Sequence, residues 1–341
     1  MTNIKGIAEM CGLSVSTVSK ALNGYTDISA ETKQKVMKVA QSCGYLPNSM
    51  ARALKTNRTH NLGVLFTDEG RSGLKQEYFA AVLDAFKTEA EAHLYDITFI
   101  GHNQNAGGRT MTYLEHCRYR NFDGVCIACV DFQQQEVLEL INSSIPVITI
   151  DHVFNNHTSI NSANVDGMKE LVEYIYRMGH RKIAYVHGEK SAVTDQRLTS
   201  FCRTLRDFGI DVPKEYLVLS AYHDIRSTEE ATRRLLTLPD RPSCIVMPDD
   251  YAAFGGIKAI ESAGLKIPDD VSVAGYDGIP LAEMIRPHLT TLKQDTSRMG
   301  QEAARRLIEQ IESPMTTIAE SITIKGTLLP GQTVAKMPAA V

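Results

Sequence analysis

The chain has 341 residues, of which 43% are hydrophobic, and a formal net charge of −4. This length favours two or three domains, and the composition is that of a globular protein rather than a disordered or fibrous one. No apolar run reaches the length of a membrane span, no export signal is recognisable, and the seven cysteines are scattered and odd in number. We therefore expect a cytoplasmic protein with no membrane partner.

Charge is distributed unevenly along the chain. Residues 1–60 carry eight Lys or Arg side chains against three acidic ones, whereas the rest of the chain is acidic. A basic segment joined to an acidic body is typical of a module that binds a polyanion such as DNA. A solvated basic terminus would explain the same charge equally well.

Residues 4–24 predict two short helices joined by a tight turn. The first helix has apolar residues at helical spacing and ends at Gly12, and Ser14 is a suitable cap for the second. The apolar stripe of the second helix consists of Val15, Val18, Ala21 and Leu22. Its outward positions are Ser16, Thr17, Ser19, Lys20 and Asn23. This pattern is typical of a helix-turn-helix, whose second helix enters the DNA major groove. A plain helical hairpin is the alternative.

A third helix is predicted from Ala30 to Cys43, with Ser29 as its cap. A break at Pro47 follows, and then the segment SMARALKTNRTH, which is too short to form a stable helix alone in water. We interpret this segment as a linker, or as a helix that forms only when something holds it.

From residue 62 onward, short runs rich in Val and Ile alternate with amphipathic segments. The predicted strands are NLGVLF, YDITFIG, FDGVCIACV, IPVITID, KIAYVHG, CIVMPDD and DVSVAGYD. The predicted helices cover residues 78–92, 110–120, 133–142, 167–178, 196–208, 228–237 and 252–263. This alternation predicts parallel sheets with helices on both faces, in which ligands bind at the carboxyl ends of the strands.

Acidic and amide side chains follow several of the predicted strands. They include Asp68, Asn103, Asp131, Asp151, Asp249, Asp250 and Asp277. Such groups suit a hydroxyl-rich or cationic ligand, and helix N-capping is the alternative explanation. Cys126 and Cys129 form a C-x-x-C within an apolar run, and we interpret them as core residues rather than as a redox or metal-binding pair.

The whole chain resembles the lactose/galactose-repressor (LacI/GalR) family of bacterial transcription regulators. The resemblance is carried, in order, by IKGIAEMCGLSVSTVSKALNG, GYLPNSMARALKTNRTHNLGVL, FDGVCIA, IPVITID, MGHRKIAYVHG, QRLTSF, IPDDVSVAGYD and LTTLKQD. It implies an all-α helix-turn-helix headpiece and an α/β periplasmic-binding-protein-like core of two doubly wound parallel-sheet subdomains. The expected boundaries are 1–46 for the headpiece, 47–60 for a hinge helix, 61–161 with 292–322 for the first subdomain, and 162–291 with 323–341 for the second.

The resemblance assigns DNA contacts to the second helix and to the hinge. Val15, Ser16 and Lys20 would read bases, and Leu54 would be an apolar wedge in the minor groove. The other residues expected at DNA are Ser14, Thr17, Ser19, Asn23, Asn48, Ala51, Arg52 and Lys55. The expected partner is a pseudo-palindromic operator bound by a homodimer.

The resemblance also places an effector in the cleft between the two subdomains. The residues expected to bind it are Tyr78, Phe79, Asp151, His152, Arg197, Tyr222, Asp249 and Asp277. Aromatic rings, carboxylates and an arginine are the groups that recognise sugars. No cofactor, metal ligand or catalytic residue is expected.

The cleft departs from the family pattern at two positions, and other roles stay open for several residues. Asp249 stands where many relatives have Asn, and Ser191 stands where the purine-binding member has an Arg, which argues against a purine. Arg197 could be a plain salt-bridge residue and His152 a surface residue. Tyr78 and Phe79 begin a predicted helix, so one of them could belong to the core.

The sequence thus predicts a repressor of a carbohydrate-utilisation operon, controlled allosterically by a small sugar or sugar phosphate. A sugar-binding receptor is the alternative, although the basic headpiece and the missing export signal count against it. An enzyme is disfavoured because no nucleophile elbow, P-loop, dinucleotide motif or zinc-ligand spacing is present. The tail after Gly326 lacks a leucine heptad, which favours a dimer over a tetramer. The identity of the sugar and the sign of the response stay open.

Overall fold

A computed structural model of the chain describes residues 3–22, 25–45, 58–67, 74, 76–102 and 108–337. The chain divides after His60 into two compact units, Met1–His60 and Asn61–Val341.

Three helices form a bundle among the described residues of the first unit. They are α1 (Ile4–Cys11), α2 (Val15–Leu22) and α3 (Ala30–Ser42). The side chain of Asn3 accepts hydrogen bonds from two amides of the first turn of α1, and Gly12 ends α1 in the left-handed region at φ +63°. Ile7, Val18 and Val36, one from each helix, are fully buried and form the core of the bundle.

The second unit contains two sheets of six strands each among its described residues. The strands of the first sheet are β1 (Asn61–Phe66), β2 (Asp96–Ile100), β3 (Gly124–Ala128), β4 (Val147–Ile150), β5 (Thr158–Ser162) and β11 (Ser321–Ile324). The strands of the second sheet are β6 (Ile183–His187), β7 (Leu217–Leu219), β8 (Cys244–Val246), β9 (Ser272–Asp277), β10 (Thr290–Lys293) and β12 (Thr327–Leu329). The strand orders are β11-β5-β4-β3-β1-β2 and β12-β10-β9-β8-β6-β7. All pairs are parallel except β10 with β12.

Helices cover both faces of each sheet, which confirms the predicted fold class. They are α4 (Glu77–Ala92), α5 (Tyr113–Arg120), α6 (Gln135–Ile141), α7 (Asn164–Arg177), α8 (Ala192–Asp207), α9 (Ile225–Leu236), α10 (Asp250–Ser262), α11 (Pro280–Met284) and α12 (Thr296–Glu312). Each sheet with its helices forms one lobe, the first lobe on the first sheet and the second lobe on the second. Neighbouring strand residues point to opposite faces, so that Cys126 packs in one core of the first lobe and Ile127 in the other. Tyr185 and Val186 divide in the same way in the second lobe.

Within the part of the chain that the structure describes, crossings between the two lobes occur between β5 and α7, between β10 and α12, and between β11 and β12. The expected boundaries at 291/292 and 322/323 fall inside β10 and β11, and the structure has the crossings after Lys293 and Ile324. Strands β5, β7, β10, β11 and β12 were not predicted. Strands β5, β10 and β11 are rich in Thr and Ser, and β7 and β12 have only three residues each.

The two cysteines of the C-x-x-C differ in environment. Cys126 is fully buried within β3, as expected of a core residue. Cys129 lies just beyond the end of that strand, half-buried and with φ +52°. The core interpretation is therefore correct for Cys126 and wrong for Cys129.

Candidate functional site

Helix α2 buries one face in the bundle and presents the other to solvent. The amide of Thr17 donates to Oγ of Ser14 at 3.0 Å, so Ser14 caps the helix as predicted. Val18 and Ala21 are buried, but Val15 is 41% exposed. The prediction that Val15 belongs to the apolar stripe is therefore wrong, since its side chain shares the outer face with the polar residues. The other described residues of this face are Ser16, Thr17, Ser19 and Lys20, each exposed or half-exposed.

The remaining residues expected at DNA lie outside the described residues. They are Asn23, Asn48, Ala51, Arg52, Leu54 and Lys55. Their roles stay predictions.

Arg197 is the centre of the second lobe's site. It projects from α8, is 4% exposed, and donates to Oδ1 of Asn164 at 2.8 Å and to the carbonyl of Pro248 at 3.3 Å. Its Nη2 lies 3.9 Å from Oδ1 of Asp277, and its guanidinium carbon lies 3.6 Å from the centroid of the Tyr276 ring. These contacts fix a buried positive charge in one orientation.

Asp277 ends β9 in a strained conformation, with φ +106°. Nε2 of Gln294 donates to its Oδ1 at 2.7 Å. Burial raises the pKa of Asp277 to about 6, and the opposite charge of Arg197 limits that rise. Oε1 of Gln294 is buried and accepts no hydrogen bond from any described residue, which leaves an acceptor beside the acid.

Two further acids of the second lobe bond to the backbone. Asp249 caps α10 by accepting from the amide of Ala252 at 2.7 Å, and it also accepts from the amide of His223 at 2.8 Å. The capping alternative is therefore correct for Asp249. Asp250, another of the acids that follow the predicted strands, is fully buried and accepts from the amide of Gly278 at 2.7 Å. It thereby supports the turn that follows Asp277.

Tyr222 contributes a half-buried ring to this lobe. Its hydroxyl lies 2.9 Å from Oγ1 of Thr194. A Cβ at Gly188 would meet its ring at 2.1 Å, so Gly188 allows the ring to lie against the backbone. Burial raises the pKa of the Tyr222 hydroxyl, so the group stays a neutral donor.

The first lobe contributes Tyr78 and Asp151 as a bonded pair. The Tyr78 hydroxyl donates to Oδ2 of Asp151 at 3.0 Å, and the amide of Ser162 donates to Oδ1 at 2.7 Å. Tyr78 is only 6% exposed, whereas Phe79 is half-buried with its ring centroid 4.9 Å from that of Tyr78. Tyr78 is therefore the core residue of the two, and its hydroxyl still reaches the acid.

His152 lies apart from these groups. Its ring is stacked on Phe132, with centroids 4.1 Å apart and planes 9° apart. Within the described chain, no hydrogen bond of its ring joins it to another candidate residue. Burial lowers the pKa of His152, which makes it a neutral aromatic ring near neutral pH.

Charges of the second lobe act on the titratable groups of the first lobe. Burial raises the pKa of Asp151, while the hydrogen bond from Ser162, the Tyr78 hydroxyl and the charge of Arg197 oppose that rise. Asp277 likewise adds to the rise in the pKa of Tyr78 that burial causes. Tyr78 and Asp151 thus lie within electrostatic range of Arg197 and Asp277, and Tyr222 lies within range of the same two groups.

Several residues that hold these groups in place were not predicted from the sequence. They are Ser162, Asn164, Tyr276 and Gln294. Ser162 and Gln294 stand at the ends of β5 and β10, which were not predicted as strands. Recognition of these strands would have identified both residues as candidates.

Comparison with known proteins identifies both units. Residues 3–48 match the bacterial regulatory proteins of the lacI family, and residues 172–334 match the periplasmic binding protein-like domain. The repressor PurR of Mannheimia succiniciproducens is 31% identical over 91% of this chain and 92% of its own length. The chain belongs to the lacI family of bacterial regulatory proteins.

Another curated relative and two solved structures are similar to this lacI-family member over most of its length. The "probable HTH-type transcriptional repressor ExuR" of Bacillus subtilis is 29% identical over 93% of both chains. A lac repressor dimer bound to operator and an anti-inducer has the same fold, with a TM-score of 0.81, 23% identity, and coverage of 98% of this chain and 99% of that one. A cellobiose complex of the regulator CelR gives a TM-score of 0.71, 20% identity, and coverage of 98% and 100%.

The lacI-family chain is accordingly a DNA-binding, ligand-responsive transcriptional repressor rather than a receptor. Among the residues that the structure describes, no helix combines the length and the apolar character needed to span a bilayer.

Proposed function

We propose that this repressor controls a carbohydrate-utilisation operon and that a small sugar in the interlobe cleft governs its affinity for the operator. The observation that carries the proposal is the pairing of Arg197 and Asp277 in one lobe opposite Tyr78 and Asp151 in the other. A ligand that bonds to both groups stabilises one relative position of the lobes. The protein acts as a cytoplasmic homodimer on a pseudo-palindromic site, without catalytic turnover.

The balance of charge in the cleft favours an unphosphorylated sugar. Asp151, Asp249 and Asp277 are acidic, whereas Arg197 is the permanent cation among the candidate residues. Carboxylates accept hydrogen bonds from hydroxyl groups, and they repel a phosphate or carboxylate on the ligand. The rings of Phe79 and Tyr222 supply apolar surface for the C–H faces of a sugar.

Similar structures include sugar complexes. CelR was solved with cellobiose, and a LacI family regulator of Enterococcus faecium was solved with bound ribose, at a TM-score of 0.69 and 22% identity over 82% of this chain and 100% of that chain. The curated relatives named PurR make purine bases a necessary comparison. In this chain Ser191 caps α8, its Oγ accepting from the amide of Thr194, and it offers no cation to a ligand.

The outer face of α2 is the proposed reader of DNA bases. Val15, Ser16 and Lys20 would contact base edges, with the hinge segment at residues 47–60 contacting the minor groove. Sugar binding in the cleft and operator binding are then linked by a coupling free energy, typically about 1–3 kcal/mol.

Thermal-shift measurements on the full-length protein test the effector. The panel contains neutral pentoses, hexoses and disaccharides, their phosphates, a uronate and purine bases. We expect a neutral sugar to raise the melting temperature and to change the Kd for an operator selected from a randomised duplex pool. A response confined to phosphates, uronates or purines would reject the proposed ligand class. Binding of DNA that no sugar alters would reject the proposed control.

A further inference from the structure

Lys20, the proposed base reader, forms an ion pair within its own bundle. Its Nζ donates to Oδ2 of Asp27 at 2.5 Å. Both side chains remain accessible, at 41% for Lys20 and 52% for Asp27. The hydrogen bond raises the pKa of Lys20 and lowers that of Asp27, so both groups are charged at any pH at which the protein would bind DNA.

The loop that carries Asp27 is anchored at both ends. The amide of Tyr25 donates to the carbonyl of Lys20 at 3.1 Å, and the side chain of Ile28 packs against the buried core of the bundle. Ser29 then begins α3 by accepting from the amide of Thr32. The Asp27 carboxylate is therefore held at a defined position beside the last turn of α2.

Stability does not explain this pair. Exposed ion pairs contribute little to stability, because both charges are already well solvated. A carboxylate on a surface that approaches DNA also repels the phosphates, so an acid at this position weakens binding unless it serves another purpose.

The chemistry of the ammonium group suggests that purpose. A lysine ammonium has three N–H donors, and Asp27 takes one of them among the described contacts. The two remaining donors match O6 and N7 of guanine, the acceptors that lysine reads in the major groove. A lysine held in this way can read a base but is less able to turn toward a backbone phosphate.

We propose that Asp27 is a specificity-determining residue that holds Lys20 in position for base reading and prevents it from binding phosphates on unrelated DNA. The inference rests on the proposed role of α2 in reading the operator. It makes Asp27 a positioning residue that lowers affinity for all DNA but lowers it most for non-specific sequences.

The test compares full-length variants on two duplexes, a site selected from a randomised pool by the wild-type protein and a duplex of the same length and unrelated sequence. Asp27→Asn removes the carboxylate and keeps the size of the side chain. Glu31→Gln is the matched control, because it removes the same charge from an exposed residue in the first turn of α3. Lys20→Ala and the double variant complete the cycle, and circular dichroism melts verify that each variant folds.

We expect Asp27→Asn to tighten binding to the unrelated duplex and to lower the ratio of specific to non-specific affinity. The slope of log K against log salt concentration should steepen by about 0.9, the value for one added phosphate contact. In the double variant that extra slope should disappear. Glu31→Gln should change the affinity for both duplexes by the same factor and leave the ratio of specific to non-specific affinity unchanged.

Two results overturn distinct parts of the account. If Lys20→Ala leaves binding to the selected site unchanged, the proposed reading role of α2 fails. The second result has two parts: Lys20→Ala weakens that binding, but Asp27→Asn leaves the salt slope and the affinity ratio at wild-type values. In that case the base-reading role of α2 is retained and the role of Asp27 is rejected. A loss of affinity for both duplexes alike in Asp27→Asn also rejects it.

Discussion

The guanidinium of Arg197 lies over the ring of Tyr276, 3.6 Å from its centroid. A planar cation over an electron-rich ring is a favourable contact, and it is stronger when water is excluded, as it is here. The stacking holds the guanidinium plane in one orientation, from which its N–H groups reach Asn164 and the carbonyl of Pro248. Tyr276 therefore helps to orient the only arginine among the proposed effector residues.

Arg197→Lys should abolish much of the effector response while leaving binding to the operator intact. Lysine cannot keep the stacking and the forked hydrogen bonds together, and each lost bond to a charged group is worth about 1.5–3 kcal/mol. We expect effector affinity to fall at least about tenfold, measured by calorimetry. Arg203→Lys, on the exposed face of the same helix, is the matched control. Equal effects of the two substitutions would contradict the role given to Arg197.

Asp277 should make the stability of the core depend on pH. Its pKa is about 6 in the folded protein against an ordinary value of 3.8, so between these values the folded state holds a proton that the unfolded state has released. The contribution of this group therefore falls as pH rises through that window. Asp277→Asn should remove the dependence in urea titrations across the window. The exposed Asp269→Asn should retain it, and an unchanged profile in Asp277→Asn would reject the assignment.

Gly278→Ala should destabilise the second lobe more than Gly209→Ala does. Both glycines have positive φ, +71° and +74°, and pay the same conformational penalty of about 1–2 kcal/mol on substitution. A Cβ at Gly278 would also lie 2.5 Å from Cα of Lys293, whereas one at Gly209 meets open space. We expect a further loss of about 1–3 kcal/mol for Gly278→Ala in urea unfolding. Similar losses would show that the turn after Asp277 adapts.

Two valines of α2 should separate folding from DNA binding. Val18 is fully buried, so Val18→Ala should lower the stability of the three-helix bundle by about 2 kcal/mol through loss of packing. Val15 is exposed, so Val15→Ala should change stability by less than about 0.5 kcal/mol. Val15→Ala alone should weaken operator binding without changing the melting temperature. If Val15→Ala leaves the affinity for the operator unaltered, Val15 does not contact the bases.

The pattern of the sequence was sufficient for elements with strong periodicity. The buried strand β1 was predicted at its observed bounds, and the three helices of the first unit were predicted to within a residue or two. The predicted first residues of the helices in the second unit were less accurate. Helix α5, for example, begins at Tyr113 rather than at residue 110, because Thr112 and Glu115 form a capping box there.

The site was predictable where its residues follow strongly apolar strands, as Asp151 and Asp277 do. It was not predictable where the role depends on a long-range contact. Gln294 and Asn164 stand in short or polar segments, and only the folded chain brings them to Asp277 and Arg197. The exposure of Val15 likewise depends on how α2 packs, since its spacing from Val18 and Leu22 suits the buried stripe equally well.

The last crossings of the chain have a consequence for biosynthesis. Each sheet acquires an edge strand from the segment 321–329, on the flank of β5 in the first lobe and of β10 in the second. During translation the first sheet therefore stays incomplete, with β5 as an unpaired edge strand, until the ribosome has added more than a hundred and fifty further residues. Nascent chains stalled before this segment should be prime clients for chaperones.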